Sequence, residues 1–228
     1  VHGTAIGVAA LLFCLFWYFR LGEGAVIKAA KAPPVNPAKN FARFFRQPRL
    51  SLAWFIAFAR SAFWTMYFVY GPILLVSTGQ GKMAGGIFLS LGNIMLFSTL
   101  VWAKIARKIG LRISISVCFA GLTLFLLAAG YFGNDFPLVS AGLLLAATVF
   151  GSALDGLGST PFLRAVKPRE RAEMTSVYRT FLDFSDLLPQ LAFSVVLLFF
   201  GFGSIFVTMA VLTGIAAFLT WRYLPKSM

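Results

Sequence analysis

Three formal charges and an amide sit in YRTFLDFSDLLPQ, residues 178–190, directly ahead of the apolar run LAFSVVLLFFGF. On a helix turning about 100° per residue, Arg179, Asp183, Asp186 and Gln190 fall at about 0°, 40°, −20° and 20°. They form one stripe with Ser194 at its edge, while Phe181, Phe184, Leu188 and Leu191 point elsewhere. Carboxylates so placed can take up and release protons, and an arginine can hold an anion. A local i, i+4 pair between Arg179 and Asp183 is the simpler alternative, but it leaves Asp186 without a partner on its own helix. Pro189 removes a backbone hydrogen bond just beyond, so a bend is expected there.

A second intramembrane charge is Arg60, which shares a helical stripe with Trp64, Tyr67 and Gly71. Trp64 is placed to stack on the guanidinium, and Arg60 is expected to meet Asp186, Asp183 or an anionic ligand. A third candidate lies in FGSALDGLGSTPF, where Thr148, Ser152, Asp155 and Ser159 share a face interleaved with glycines. Small residues let helices approach closely. Asp155 is expected to hold Arg164 or another basic loop residue, as a gate or structural ion pair. Asn93 reads as interhelical glue.

The elements that position these residues follow from composition. The chain has 228 residues, 59% hydrophobic and 12% charged, against about 45–50% and about 25% in soluble domains. Seven stretches reach the roughly 20 apolar residues that a spanning helix needs: 3–21, 50–77, 84–103, 112–132, 137–160, 174–200 and 203–224. Short segments of alternating polarity, the mark of a membrane barrel, are absent from the sequence. The expected class is an all-α polytopic membrane protein. The first stretch lacks the basic n-region and cleavage site of a signal peptide. Cys14 and Cys118 lie in separate spans without metal-ligand spacing, and His2 is the single histidine. No cofactor or metal centre is expected, nor an enzyme.

A net charge of +13 would suit a nucleic-acid binder, but its distribution argues for topology instead. Of 20 basic residues, all but Lys82, Arg60 and Arg179 fall on loops of one side. The positive-inside rule makes that side cytoplasmic and puts Met228 there. No nucleic-acid partner is expected. The longest basic connection, 22–49, contains PAKNFARFFRQ, which can form a short helix with Phe41, Phe44 and Phe45 on one side and Lys39, Arg43 and Arg46 around it. Such a helix would lie on the anionic leaflet; a disordered basic linker is the alternative. The chain opens on VHG immediately before an apolar span, so it is expected to begin mid-protein.

Two loop motifs carry a family resemblance. AKIARKIGLR at 103–112 is similar to the G-x-L-A-D-R-x-G-R-K turn of the major facilitator superfamily of secondary transporters, matching at Lys108, Gly110 and Arg112. It departs at Ala103 and at Arg107, which stands where the family has Asp, so the family's Asp latch does not transfer. KPRERAEMTSVYR at 167–179 is similar to the family's P-x-x-R-G loop through Pro168 and Arg171, with Ala172 for Gly. The seven spans resemble helix six plus the C-terminal six-helix half of that twelve-helix fold. The resemblance implies a transmembrane helix of a preceding half at 1–21, a basic cytoplasmic central loop at 22–49, and a six-helix transporter half at 50–228. It also implies two halves rocking about a central site, with the preceding half as a partner and the fourth and seventh spans facing lipid.

Proton-coupled transport of a small solute, anionic or amphipathic, in a bacterial inner membrane is therefore the leading expectation. Arg60, Trp64 and Tyr67 would contact substrate. Asp186, with Asp183 second, would carry the proton. Arg179, Asp155, Arg164 and Arg171 would serve as gating or structural charges. A complete seven-helix receptor or light-driven protein is the rival, weakened by the lack of a lysine at the centre of any span. An intramembrane aspartyl enzyme would need a different geometry from Asp183 and Asp186 at i, i+3.

Overall fold

The computed structural model describes residues 14–15, 37–133 and 135–225. The chain divides into two units, Val1–Asn36 and Pro37–Met228. Of the expected first span only Cys14 and Leu15 are described, both helical; the rest of 3–21 and the loop 22–36 lie outside the described residues. The second unit is helical throughout: α1 (Pro37–Phe45), α2 (Pro48–Ser77), α3 (Gly81–Met95), α4 (Thr99–Ile109), α5 (Leu111–Phe132), α6 (Pro137–Leu157), α7 (Thr160–Ala165), α8 (Arg171–Arg179), α9 (Phe181–Phe199) and α10 (Gly203–Tyr223).

Six of these helices or collinear pairs are long and apolar enough to cross a membrane: Pro48–Ser77, Gly81–Ile109, Leu111–Phe132, Pro137–Ala165, Pro168–Phe199 and Gly203–Tyr223. They match the second to seventh expected spans, but three are interrupted. A 3₁₀ turn at Leu96–Ser98 separates α3 from α4, Gly158 and Ser159 separate α6 from α7, and Thr180 separates α8 from α9. Prolines open α2 and α6 at their first turns, where a missing N–H breaks no helical bond. Between α4 and α5 a single residue turns the chain. Gly110 does this at φ +91°, a region costly for a side chain, which accounts for the glycine in AKIARKIGLR.

The helix α2 is the spine. Its 30 residues span about 45 Å at 1.5 Å per residue, and it packs on α3, α6, α7, α9 and α10. The most extensive packing joins α5 to α10, followed by α5 to α6. Without a hydrophobic drive inside the bilayer, close backbone approach matters most. At α5–α10 a Cβ on Gly203 would lie 2.5 Å from Gly130 O. On α6, a Cβ on Gly151 would lie 2.5 Å from the buried Phe63 ring. The outward sides of α5 and α10 show Leu124, Val211, Ile215 and Phe218, as expected of lipid-facing helices.

A second apolar cluster closes the end of the bundle that carries the basic residues. Phe44, Leu50, Phe58, Phe162, Tyr178 and Phe181 belong to it, with the Phe162 and Tyr178 rings stacked at 4.0 Å. The short helix α1 is thus bound to the bundle. Phe44 is fully buried while Phe41 is 42% exposed, and Arg43 pairs with Glu170 at 2.6 Å. The unit boundary at Asn36 and Pro37 puts this helix with the bundle, where a boundary at 49 and 50 was expected.

Candidate functional site

The interruptions gather around one intramembrane charge pair. Arg60 sits near the middle of α2, and its Nε lies 3.4 Å from Asp155 Oδ1 on α6. The expected partners differ. Asp155 meets Arg60 and not Arg164, because α6 packs against α2 at this level. Asp186 does not meet Arg60; its Oδ1 accepts a 2.8 Å hydrogen bond from Thr65 Oγ1, further along α2. Its distance from Arg60 is set by the 100° helical turn, which points residues 60 and 65 in different directions.

The guanidinium of Arg60 stands 5.5 Å over the Phe181 ring, so the aromatic platform is Phe181 and not Trp64. Trp64 instead stacks on Phe68 at 5.4 Å and meets Tyr67 edge-on at 5.7 Å. Tyr67 is fully buried and its hydroxyl donates to Phe88 O at 2.7 Å. It supports Trp64 and the α2–α3 contact and is closed to a solute, which corrects its expected role as a substrate contact.

Two donors at the pair are left without hydrogen bonds. Arg60 Nε and Trp64 Nε1 are both buried and make no hydrogen bond, although Arg60 Nε is ion-paired with Asp155 and the Trp64 indole lies beside the same carboxylate. An orphaned buried donor costs about 1–3 kcal/mol, and native structures keep few of them. The side chains of Arg60 and Asp155 are 16% and 31% exposed, so the pair borders the surface of the unit. The site is supported from α4 and α6: Thr99 donates to Ser152 O at 3.0 Å, Ser98 and Ser152 share a hydroxyl contact, and a Cβ on Gly156 would strike Thr99. That explains the small polar face of α6, on which Thr148 and Ser152 are fully buried.

The stripe on the sixth expected span is broken at Thr180, whose N–H turns back to Val177 O. No ion pair joins Arg179 to Asp183 among the described residues. Asp183, Asp186 and Arg179 are all exposed on the unit. Arg164 is exposed, and Arg171 reaches Leu163 O at 3.5 Å. Asn93 is exposed and bonds back to Leu89 O in its own helix, so it does not tie helices together. The sequence missed Thr65, Phe181 and Ser98, which carry no motif and matter only through their neighbours across helix boundaries.

Two polar contacts therefore involve charged residues of the spans, Arg60 with Asp155 and Thr65 with Asp186, while the spans otherwise show many exposed hydrocarbon side chains. Six helices long and apolar enough to cross a bilayer define a multi-pass α-helical membrane protein, in which charges within the spans normally face protein or water. A family model for the Major Facilitator Superfamily matches residues 3–188. No curated protein and no solved structure matches the chain. The chain belongs to the major facilitator superfamily, and it is an integral membrane transporter.

Proposed function

We propose that the protein is a secondary active transporter that moves a small anionic or amphipathic solute by alternating access, coupled to protons. The observation that carries this is a pair of buried donors around the Asp155 carboxylate, Arg60 Nε and Trp64 Nε1, which approach it without making a hydrogen bond. A carboxylate-bearing solute offers the acceptor that both lack, and it competes with Asp155 for Arg60. Phe181, Trp64 and the 40% exposed Phe68 suit an apolar portion of the same solute. Asp186, exposed and held by Thr65, is the proton carrier in this reading, with Asp183 one turn away as its second. Arg164, Arg171 and Arg179 at the basic end serve as gating charges.

The charged face also supports a partner for the unit. A preceding six-helix half would cover Arg60, Asp155 and Asp186 and share a water-filled cavity with them, since lipid cannot. The basic end faces the cytoplasm by the positive-inside rule, in a bacterial inner membrane.

The test uses the full-length protein in proteoliposomes with a trapped pH-sensitive dye and a panel of amphipathic carboxylates and their neutral amides. Carboxylates are expected to be taken up with proton movement and amides not. Asp186→Asn is expected to keep solute exchange and lose the proton signal. Equal uptake of acids and amides would remove the role of Arg60, and wild-type proton movement in Asp186→Asn would remove that of Asp186.

A further inference from the structure

An apolar groove of about 680 Å³ opens at the basic end of the bundle, away from the Arg60–Asp155 pair. It lies between the first turns of α2 and the last turns of α10. Leu52, Trp54, Phe55 and Leu219 form its walls, and Arg49 and Tyr223 stand among its lining residues. Arg49 is exposed and Tyr223 is 63% exposed, which places them at the mouth. The walls offer little polarity: the Trp54 indole N–H is committed to Thr180 Oγ1 at 3.1 Å, and its ring stacks on Phe58 at 5.3 Å. Ser51 is likewise turned back to Phe45 O at 3.0 Å.

We propose that this groove binds an anionic phospholipid of the adjacent leaflet, with an acyl chain along Leu52, Phe55 and Leu219 and the phosphate at Arg49. Three features select this occupant. The volume falls in the roughly 300–1,000 Å³ range of small-molecule pockets, and its walls match a hydrocarbon chain. The mouth carries Arg49, which is exposed, and one basic residue near a leaflet contributes about fivefold in affinity for an anionic headgroup. The mouth also coincides with the N-terminus of the 30-residue α2, whose dipole favours negative charge. The chain's own residues 16–36 are a poorer fit, because Arg20, Lys28 and Lys31 outnumber Glu23 there and would meet like charge.

The binding site is distinct from the solute pathway, so its test needs no transport substrate. The full-length protein in lipid nanodiscs is labelled with phosphatidylglycerol or phosphatidylcholine carrying the same diazirine acyl chain, and the labelled peptides are mapped by mass spectrometry. Label is expected on residues 48–55 and 219–223, about fivefold higher for phosphatidylglycerol. Arg49→Gln is expected to bring that label down to the phosphatidylcholine level, and Leu219→Trp to remove it by filling the groove. Glycerol phosphate without chains is expected not to compete, which separates a lipid from a free phosphate. Equal labelling by both headgroups, label elsewhere only, or a groove that neither probe reaches because residues 16–36 fill it would each overturn the proposal. The wild-type ratio decides the matter even if a variant fails to insert.

Discussion

Replacing either member of the Arg60–Asp155 pair strands the other in the middle of the bilayer, and the size of that effect follows from the geometry. At 3.4 Å two unit charges attract by roughly 5 kcal/mol at an effective dielectric of about 20, and by roughly 1 kcal/mol at that of water. The contact is a single N–O approach and Asp155 is 31% exposed, so partial hydration brings the expected coupling to about 1.5–3 kcal/mol. Desolvation makes the singles worse than the double, since each leaves an uncompensated charge. A double-mutant cycle of Arg60→Gln, Asp155→Asn and the combined variant, unfolded in mixed SDS micelles, reads this directly. The double variant is expected to be more stable than Arg60→Gln alone. Additive losses, with coupling below about 0.5 kcal/mol, would refute the pairing. Transport separates structure from mechanism: the stable double variant is expected to be inactive, because the solute then lacks its cation.

Other features of the fold make their own predictions. Gly203→Ala places a methyl 2.5 Å from the Gly130 carbonyl oxygen, a backbone atom that cannot rotate away, so α5 and α10 must part. A loss of about 1–3 kcal/mol is expected in the same unfolding assay, and unchanged stability would show that these helices are not so closely apposed. The helix α1 is held by Phe44, fully buried, more than by the Arg43–Glu170 pair, whose side chains are 48% and 32% exposed. Phe44→Ala is accordingly expected to open trypsin cleavage at Arg43 and Arg46, while Glu170→Gln, worth under about 1 kcal/mol, leaves them protected. The reverse pattern would make the ion pair the anchor.

Hydropathy and charge, read along the chain, were enough for the class of protein and six of the spans, and they left a helix near 37–45 open beside a disordered linker. These are properties of single segments: a run long enough to cross a bilayer, or a charge too expensive to leave in lipid, announces itself without its neighbours. Partnerships did not. Arg60 was expected to meet Asp186, Asp183 or an anionic ligand from its place along its own helix, yet that fixes only one coordinate; the packing of α2 against α6 brought Asp155 to it. The Arg179–Asp183 pair that helical spacing allows is likewise not formed among the described residues. Tyr67 shares the stripe of Arg60, but the close approach of α3 at Gly92 and Phe88 encloses it. Which face of a helix meets which neighbour depends on packing between segments distant in sequence, and only the tertiary structure contains that information.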